Sequence, residues 1–166
     1  MRLEAARKYV EQVGDLSISI TWTAELINLV DDDIERGQRF IQWFGCDDDL
    51  MPKLEAWREE CLQRIGILNK EIDIHLQVIE DIPDEISREV LLLYAEGIRK
   101  SPFKRNMRSI VQYEERGLSE RNVLRHLKDK AYPFIAAAVP VYHAHIPELI
   151  EAHKAGQGLQ EKYATI

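Results

Sequence analysis

The stretch Leu54-Glu-Ala-Trp-Arg-Glu-Glu-Cys-Leu-Gln-Arg-Ile-Gly-Ile-Leu-Asn-Lys-Glu-Ile-Asp-Ile-His-Leu-Gln-Val-Ile79 decides the fold class. Its apolar residues recur in steps of three and four, with a mean period of about 3.6 residues, which is the period of an α-helix. They form a continuous seam of Leu54, Trp57, Cys61, Ile65, Leu68, Ile72, Leu76 and Ile79. Such a seam can pack along the preceding helix as an antiparallel hairpin or along a second copy of the chain, and the sequence leaves both open.

The segment before this stretch predicts two further helices. Apolar spacing predicts a helix over residues 21–44 that ends at Gly45. Residues 2–13 predict a shorter helix ended by Gly14, and residues 18–22 are interpreted as the turn between the two. The expected class is therefore all-α, beginning with a long helical hairpin.

The segment after the seam predicts two more helices. Asp81-Ile-Pro-Asp84 is expected to break the long helix and start another, which faces inward through Ile86, Val90, Leu93 and Tyr94 before Gly97. Ser101-Pro102 is expected to open the next helix, because serine is a good N-cap and proline is tolerated in the first turn. The predicted buried residues of that helix are Phe103, Met107, Ile110 and Val111.

The stretch from Arg99 to Lys130 reverses the charge of the rest of the chain. It carries ten Lys/Arg against four Asp/Glu, a net of +6, whereas the whole chain is −7. Within it, Arg108-Ser-Ile-Val-Gln-Tyr-Glu-Glu-Arg-Gly117 predicts a short helix closed by glycine, followed by Leu118-Ser119 and a second helix from Glu120. This order is typical of a helix-turn-helix, in which the second helix enters the major groove of DNA.

The spacing in the second helix separates an apolar face from a basic one. Ser119 is the predicted N-cap. At 100° per residue, one face carries Val123, Leu127, Ala131 and Phe134, and the opposite face carries Arg121, Arg125, Lys128 and Tyr132. A helix that reads DNA needs this division, since one side docks on its own domain and the other meets phosphates and base edges.

Three prolines, Pro133, Pro140 and Pro147, follow at intervals of seven residues. Because proline removes a helical hydrogen bond and collides with the preceding turn, the second helix is expected to stop or kink near Tyr132. Short helices are expected at about 134–139 and 147–154. The predicted organisation is an assembly region over 1–82, a helix-turn-helix region over 83–132 and a Pro-interrupted helical tail over 133–166.

Composition limits the classes of protein to consider. The N-terminus is charged from Arg2 and has no signal-peptide core, and the uncharged run 131–146 is too short to span a bilayer. Cys46 and Cys61 form no C-x-x-C pair and are expected to be reduced and packed. We therefore expect a cytoplasmic protein with no membrane contact.

Several acidic and histidine groups are candidate chemical sites. His143-Ala-His145, near Glu148, Glu151 and His153, resembles a set of metal ligands, but ordinary surface histidines explain it better. Asp32/Glu35 and Glu148/Glu151 have the i, i+3 spacing of magnesium-holding helical nucleotide hydrolases, a spacing that arises by chance in a chain with 29 acids. No nucleotide-binding, nucleophile-elbow or zinc-protease motif occurs. We expect no metal, no cofactor and no enzyme, with the hydrolase as a third hypothesis.

Residues 65–131 resemble phage transcription regulators of the ArpU type. The likeness is carried by Asp84-Glu-Ile-Ser-Arg-Glu-Val-Leu-Leu-Leu-Tyr-Ala-Glu-Gly97 and Gly117-Leu-Ser-Glu-Arg-Asn-Val-Leu-Arg-His-Leu-Lys-Asp-Lys-Ala131. The resemblance implies a long helix followed by a head similar to region 4 of sigma-70-like factors. It also implies two sets of DNA contacts: Arg121, Asn122 and Arg125 at base-reading positions, and Arg105, Arg108 and Lys128 on phosphates. The segment between Val111 and Gly117 is one or two residues longer than the family pattern, so a non-standard turn is expected.

The leading functional hypothesis is a sequence-specific, phage-like transcriptional regulator that reads duplex DNA with the helix 120–131. Its expected partners are duplex DNA, RNA polymerase or another protein, and a second copy of the chain as a homodimer. The alternative is a protein–protein interaction module, an inhibitor or adaptor, that uses the basic helix or the acidic N-terminal half.

Overall fold

The computed structural model describes residues 3–45 and 49–144, and these residues are helical apart from short connections. The two longest helices come first, α1 (Leu3–Phe44) and α2 (Leu50–Glu80). They are followed by α3 (Glu85–Lys100), α4 (Met107–Val111), α5 (Glu120–His126), a π-helical segment (Leu127–Ala131) and α6 (Tyr132–Tyr142). The all-α class predicted from sequence is confirmed for the described residues.

Helix α1 is continuous where a break was predicted. The prediction that residues 2–13 end at Gly14, with a turn at 18–22, is wrong. Three hydroxyl side chains in this part donate to the carbonyl four residues back: Ser17 at 2.7 Å, Thr21 at 3.0 Å and Thr23 at 2.7 Å. These local bonds satisfy the polar side chains without leaving the helix, so the alternating pattern does not interrupt it.

Helices α1 and α2 run antiparallel along one another. Arg58 on α2 pairs with Asp31 on α1 at 2.6 Å, near the middle of the pair. Nearer the connection, the Sδ of Met51 would lie 2.7 Å from a Cβ placed on Gly37, so glycine allows the close approach. The buried contact residues include Ile27 and Val30 on α1 and Leu54 and Cys61 on α2. Cys61 is a free thiol, and Cys46 lies outside the described residues.

Helix α3 begins and ends with side-chain and backbone caps. Asp84 accepts a hydrogen bond from the N–H of Ser87 at 3.1 Å, which satisfies a free donor of the first turn. The helix continues past Gly97 to Lys100, although an end near Gly97 was predicted. A Cβ at Gly97 would clash with Cγ2 of Ile110, so this glycine provides space for α4 instead of ending α3.

The segment between α3 and α4 corrects the prediction that Ser101-Pro102 opens a helix. The N–H of Ser101 donates to the carbonyl of Gly97 at 3.0 Å, so this serine ends α3. Phe103, predicted to be buried, is 83% exposed. Asn106 caps α4 by accepting from the N–H groups of the next helix turn. The helix expected to reach Gly117 ends five residues after this cap, at Val111.

The second helix was expected to stop or kink near Tyr132, and it does not stop there, because the chain remains helical through Pro133 and Pro140. The N–H of Tyr132 donates to the carbonyl of Leu127, five residues back, which is the π-helical pattern. This wider turn lies directly before Pro133, where the proline ring would collide with the carbonyl of an ordinary α-turn. Helix α6 therefore continues to Tyr142, and the helix predicted at 147–154 lies outside the described residues.

One hydrophobic core joins the first turns of α1, the end of α2 and all the later helices. Its fully buried large side chains include Ile72, Ile79, Leu91, Tyr94 and Ile135. The rest of the α1–α2 pair extends away from this core as an arm, which we define as residues 21–45 and 49–65. None of the described helices is both long and apolar enough to cross a membrane.

Candidate nucleic-acid interface

The turn before α5 contains two left-handed residues. Gln112 ends α4 with φ of 53°, and Gly117 has φ of 69°. The N–H of Leu118 closes the turn on a carbonyl five residues back, at 2.9 Å. The side chain of Ser119 then accepts from the N–H of Asn122 at 3.2 Å. Helix α5 therefore starts where the predicted N-cap placed it.

The two faces of this helix are divided as its spacing predicts. Val123, Leu127 and Ala131 are fully buried in the core. Arg121, Arg125 and Lys128 are exposed on the opposite face. Tyr132, predicted to share the basic face, and Phe134, predicted to share the apolar face, are both only partly buried. The face prediction holds through Ala131, the last residue of the π segment. Beyond it the wider turn shifts the angular position of each residue, and Tyr132 packs against the core instead of joining the basic face.

The three cations on the exposed face of this helix differ in their hydrogen-bond and ion-pair partners. Among the described residues, Arg121 and Lys128 form no ion pair. Arg125 donates from Nη2 to the Oδ1 of Asn122 at 3.0 Å, so the guanidinium and the amide are held side by side. Leu124 lies between these cations and is 52% exposed. The result is a helix face with free positive charge, a positioned amide and one apolar contact.

Arg105 contacts α1 and the α3–α4 connection. Its guanidinium donates to Asp15 at 2.5 Å and, from Nε, to the carbonyl of Pro102 at 2.8 Å. It lies against α1 at Gly14, where a Cβ would come within 3.1 Å of the guanidinium. Gly14 therefore makes room for an interhelical contact, and the phosphate contact implied for Arg105 would require this ion pair to open.

Arg108 is exposed to solvent but has two acidic neighbours. It is 61% exposed, donates to Glu114 at 3.1 Å and lies 3.6 Å from a carboxylate oxygen of Glu120. Exposed pairs of this kind contribute little to stability and are exchanged readily. Arg108 is therefore close to the start of α5, but its charge is partly balanced by two acids.

A hydrogen-bond network around Asp84 connects α5 and the π-helical segment to the start of α3, and the sequence did not predict it. The carboxylate of Asp84 accepts from Ser87, from the Nδ1 of His126 at 2.9 Å and from Lys130 at 2.9 Å. Burial alone would raise the pKa of Asp84, but the hydrogen bonds from Ser87, Lys130 and His126 outweigh it and hold the pKa well below its usual range. Asp84 could be recognised in the sequence as an N-cap, but its contacts across more than forty residues could not.

A second polar cluster, centred on the buried rings of Tyr9 and His75, lies where α1 and α2 meet the end of α6. The ring of His75 stacks on Tyr9 with centroids 4.0 Å apart, and the Tyr9 hydroxyl lies 2.6 Å from the Nε2 of His143. Nδ1 of His75 lies 2.7 Å from the carbonyl of Glu71, and Nε2 lies 3.1 Å from the Oε1 of Gln12. Burial is the main cause that lowers the pKa of His75 to about 4; the hydrogen bond to the carbonyl of Glu71 opposes this shift and the nearby His143 adds to it.

The metal-ligand set considered in the sequence falls mostly outside the described residues, since His145, Glu148, Glu151 and His153 all do. Within the described parts of the chain, no group of three or more His, Cys, Asp or Glu is arranged to hold a metal ion. Asp32 is exposed, and Glu35 is paired with Arg39.

Comparison of the chain with protein-family models, with curated proteins and with solved structures gave no match.

Proposed function

We propose that the protein binds duplex DNA through the exposed face of residues 120–131, as a sequence-specific transcriptional regulator of the phage type. In this proposal α4 and α5 are the two helices of a helix-turn-helix, carried by the long antiparallel pair of α1 and α2. The observation that carries it is the placement of Arg121, Arg125 and Lys128 on the solvent side of a helix whose other side is fully buried.

The ion pairs within the basic stretch 99–130 favour this face as the DNA-binding surface over the other cations of the stretch. Lys130 is paired with Asp84 and Arg116 with Glu89, so each already has an acidic partner within the chain. Arg121 and Lys128 have no ion-pair partner among the described residues, which leaves their charges available to phosphates. Because the chain as a whole is acidic, a local positive face would favour one docking orientation over indiscriminate coating of nucleic acid.

The side chains on this face suit the edges of base pairs. Arginine contacts guanine through two hydrogen bonds, asparagine contacts adenine in the same way, and an apolar side chain contacts the thymine methyl group. The side chains of Arg125 and Asn122 are hydrogen-bonded to each other, and no other hydrogen bond of these two side chains is found among the described residues, so both keep further donors and acceptors for bases. Leu124 supplies the apolar contact beside them.

The resemblance to ArpU-type regulators adds the transcriptional role. It rests on residues 84–97 and 117–131, which correspond to α3 and to the reading helix. The implied phosphate contacts divide into Lys128, which is exposed and unpaired within the described residues, and Arg105 and Arg108, which must first release acidic partners. We propose Ser119, Arg121, Asn122, Arg125 and Lys128 as the primary contact set.

The experiment begins with selection of a preferred duplex from a random-sequence pool, followed by binding measurements over a series of salt concentrations. Arg121→Ala and Arg125→Ala should each cost about 1–3 kcal/mol on the preferred site and reduce the preference for it. Lys128→Ala should weaken all sequences alike and reduce the salt slope by about 1. Lys53→Ala, an exposed cation on α2, is the matched control and should leave binding unchanged.

Equal binding by the wild type and by the Arg121→Ala/Arg125→Ala double variant would refute the proposal. A stable complex with a protein, formed without measurable DNA affinity, would instead support the alternative that the basic face docks on a protein.

A further inference from the structure

Helix α1 carries a second apolar seam that α2 does not cover. Its residues are Trp22, Leu26, Leu29, Phe40 and Trp43, which are between 38% and 75% exposed. The inner seam, which contains Thr23, Ile27 and Val30, is buried against α2. An exposed row of large apolar side chains on one helix marks an interaction surface.

The two seams have the same period and lie side by side. The outer seam occupies positions 22, 26, 29, 33, 36, 40 and 43, in alternating steps of four and three, which is the heptad spacing of packed helices. The inner seam follows the same steps one residue later, so it is rotated by about 100° around α1. A helix with two such seams has two neighbours, as in a four-helix bundle, and α2 accounts for only one of them.

The two polar positions in the middle of the outer seam identify the second neighbour. Asp33 and Arg36 are exposed and lie 3.8 Å apart on the same helix. The seam is symmetric about them, because the steps outward from Asp33 to Leu29 and Leu26 match the steps from Arg36 to Phe40 and Trp43. This symmetry allows the seam to pair with an antiparallel copy of itself, residue for residue.

We propose that a second copy of the chain packs antiparallel on this seam, so that two arms form a four-helix bundle. In this register Leu26 meets the partner's Trp43 and Leu29 meets the partner's Phe40. Asp33 meets the partner's Arg36, and two-fold symmetry repeats each contact. A parallel pairing would place Asp33 against the partner's Asp33, so the charges select the antiparallel arrangement.

The proposal does not rest on DNA binding, and its test is the oligomeric state of the full chain measured by light scattering. The wild type should be a dimer at micromolar concentration. Asp33→Arg alone and Arg36→Asp alone should each raise the dissociation constant about tenfold or more, because two attractive pairs become repulsive. The Asp33→Arg/Arg36→Asp double variant should restore the dimer, and mixing the two single variants should give a heterodimer.

The matched control is Glu35→Arg, which makes the same change of charge on the same helix but outside both seams, and it should leave the dimer intact. Circular dichroism confirms that each variant remains helical. A wild type that stays monomeric, a dimer that tolerates Asp33→Arg, or a double variant that fails to recover would each overturn the proposal.

Cross-linking tests the orientation separately. With Cys46 replaced by serine, a mixture of Leu29→Cys and Phe40→Cys chains should form a disulfide between copies. Either variant alone should not, because identical positions would lie on the order of 16 Å apart along the helix axis. Cross-linking of Leu29→Cys with itself, at a yield equal to the mixture, would refute the antiparallel register.

Discussion

The buried histidine of α2 should make the stability of the protein depend on pH in a defined window. His75 is fully buried, and burial is the main cause of its pKa of about 4, compared with an ordinary value of 6.5. Since its folded pKa is lowered, the unfolded chain binds a proton at His75 before the folded chain does. The stability that His75 contributes is therefore fully present above pH 6.5 and is lost as the pH falls towards 4.

The size of this effect follows from the pKa difference. The interval from 6.5 to about 4 is about 2.5 pH units, and each unit corresponds to about 1.36 kcal/mol, so the loss is on the order of 3 kcal/mol. Burial also lowers the pKa of His143, which adds to the loss, whereas the raised pKa of Glu71 opposes it. The lowered pKa of Asp84 acts at lower pH, because its carboxyl titrates near 3.8 in the unfolded chain.

The measurement is the free energy of unfolding from urea titrations between pH 8 and pH 4.5, compared between the wild type and His75→Phe. Phenylalanine keeps an aromatic ring against Tyr9 but cannot bind a proton. The difference between the two proteins should change by about 2–3 kcal/mol across this range. Val78→Ala, at a fully buried position on the same helix, should lower stability by a constant amount at every pH. A wild-type minus His75→Phe difference that is equally constant would refute the reasoning.

Further predictions concern packing, capping and site geometry. Gly97→Ala should destabilise the protein by about 1–3 kcal/mol because the new Cβ clashes with Ile110, and adding Ile110→Ala should recover part of the loss, as measured by urea unfolding. Ser119→Ala should cost about 1 kcal/mol of stability through the lost bond to the N–H of Asn122, while Ser119→Asp should not. If both the DNA and the dimer proposals hold, the two-fold axis of the dimer relates two copies of the exposed face of α5, so a duplex with two inverted half-sites should bind more tightly than one with a single half-site.

Some local features of the chain could be predicted from sequence. The all-α class, the break at 81–84, the cap at Ser119 and the buried and exposed faces of α5 all follow from periodicity and from residue preferences within one or two turns of helix. Each of these features depends on contacts between residues that are close in the chain, and the distance between such residues along the helix follows directly from the sequence.

Only the tertiary structure shows which glycines make room for a neighbouring side chain and which cations form ion pairs within the chain. Gly14 and Gly97 were predicted to end helices, but they make room for Arg105 and Ile110. The ammonium group of Lys130 is paired with Asp84. The wide turn before Pro133 likewise forms within a helix already anchored by its buried face. These outcomes depend on which distant surfaces meet, and helical spacing carries no information about that, because it describes one helix at a time.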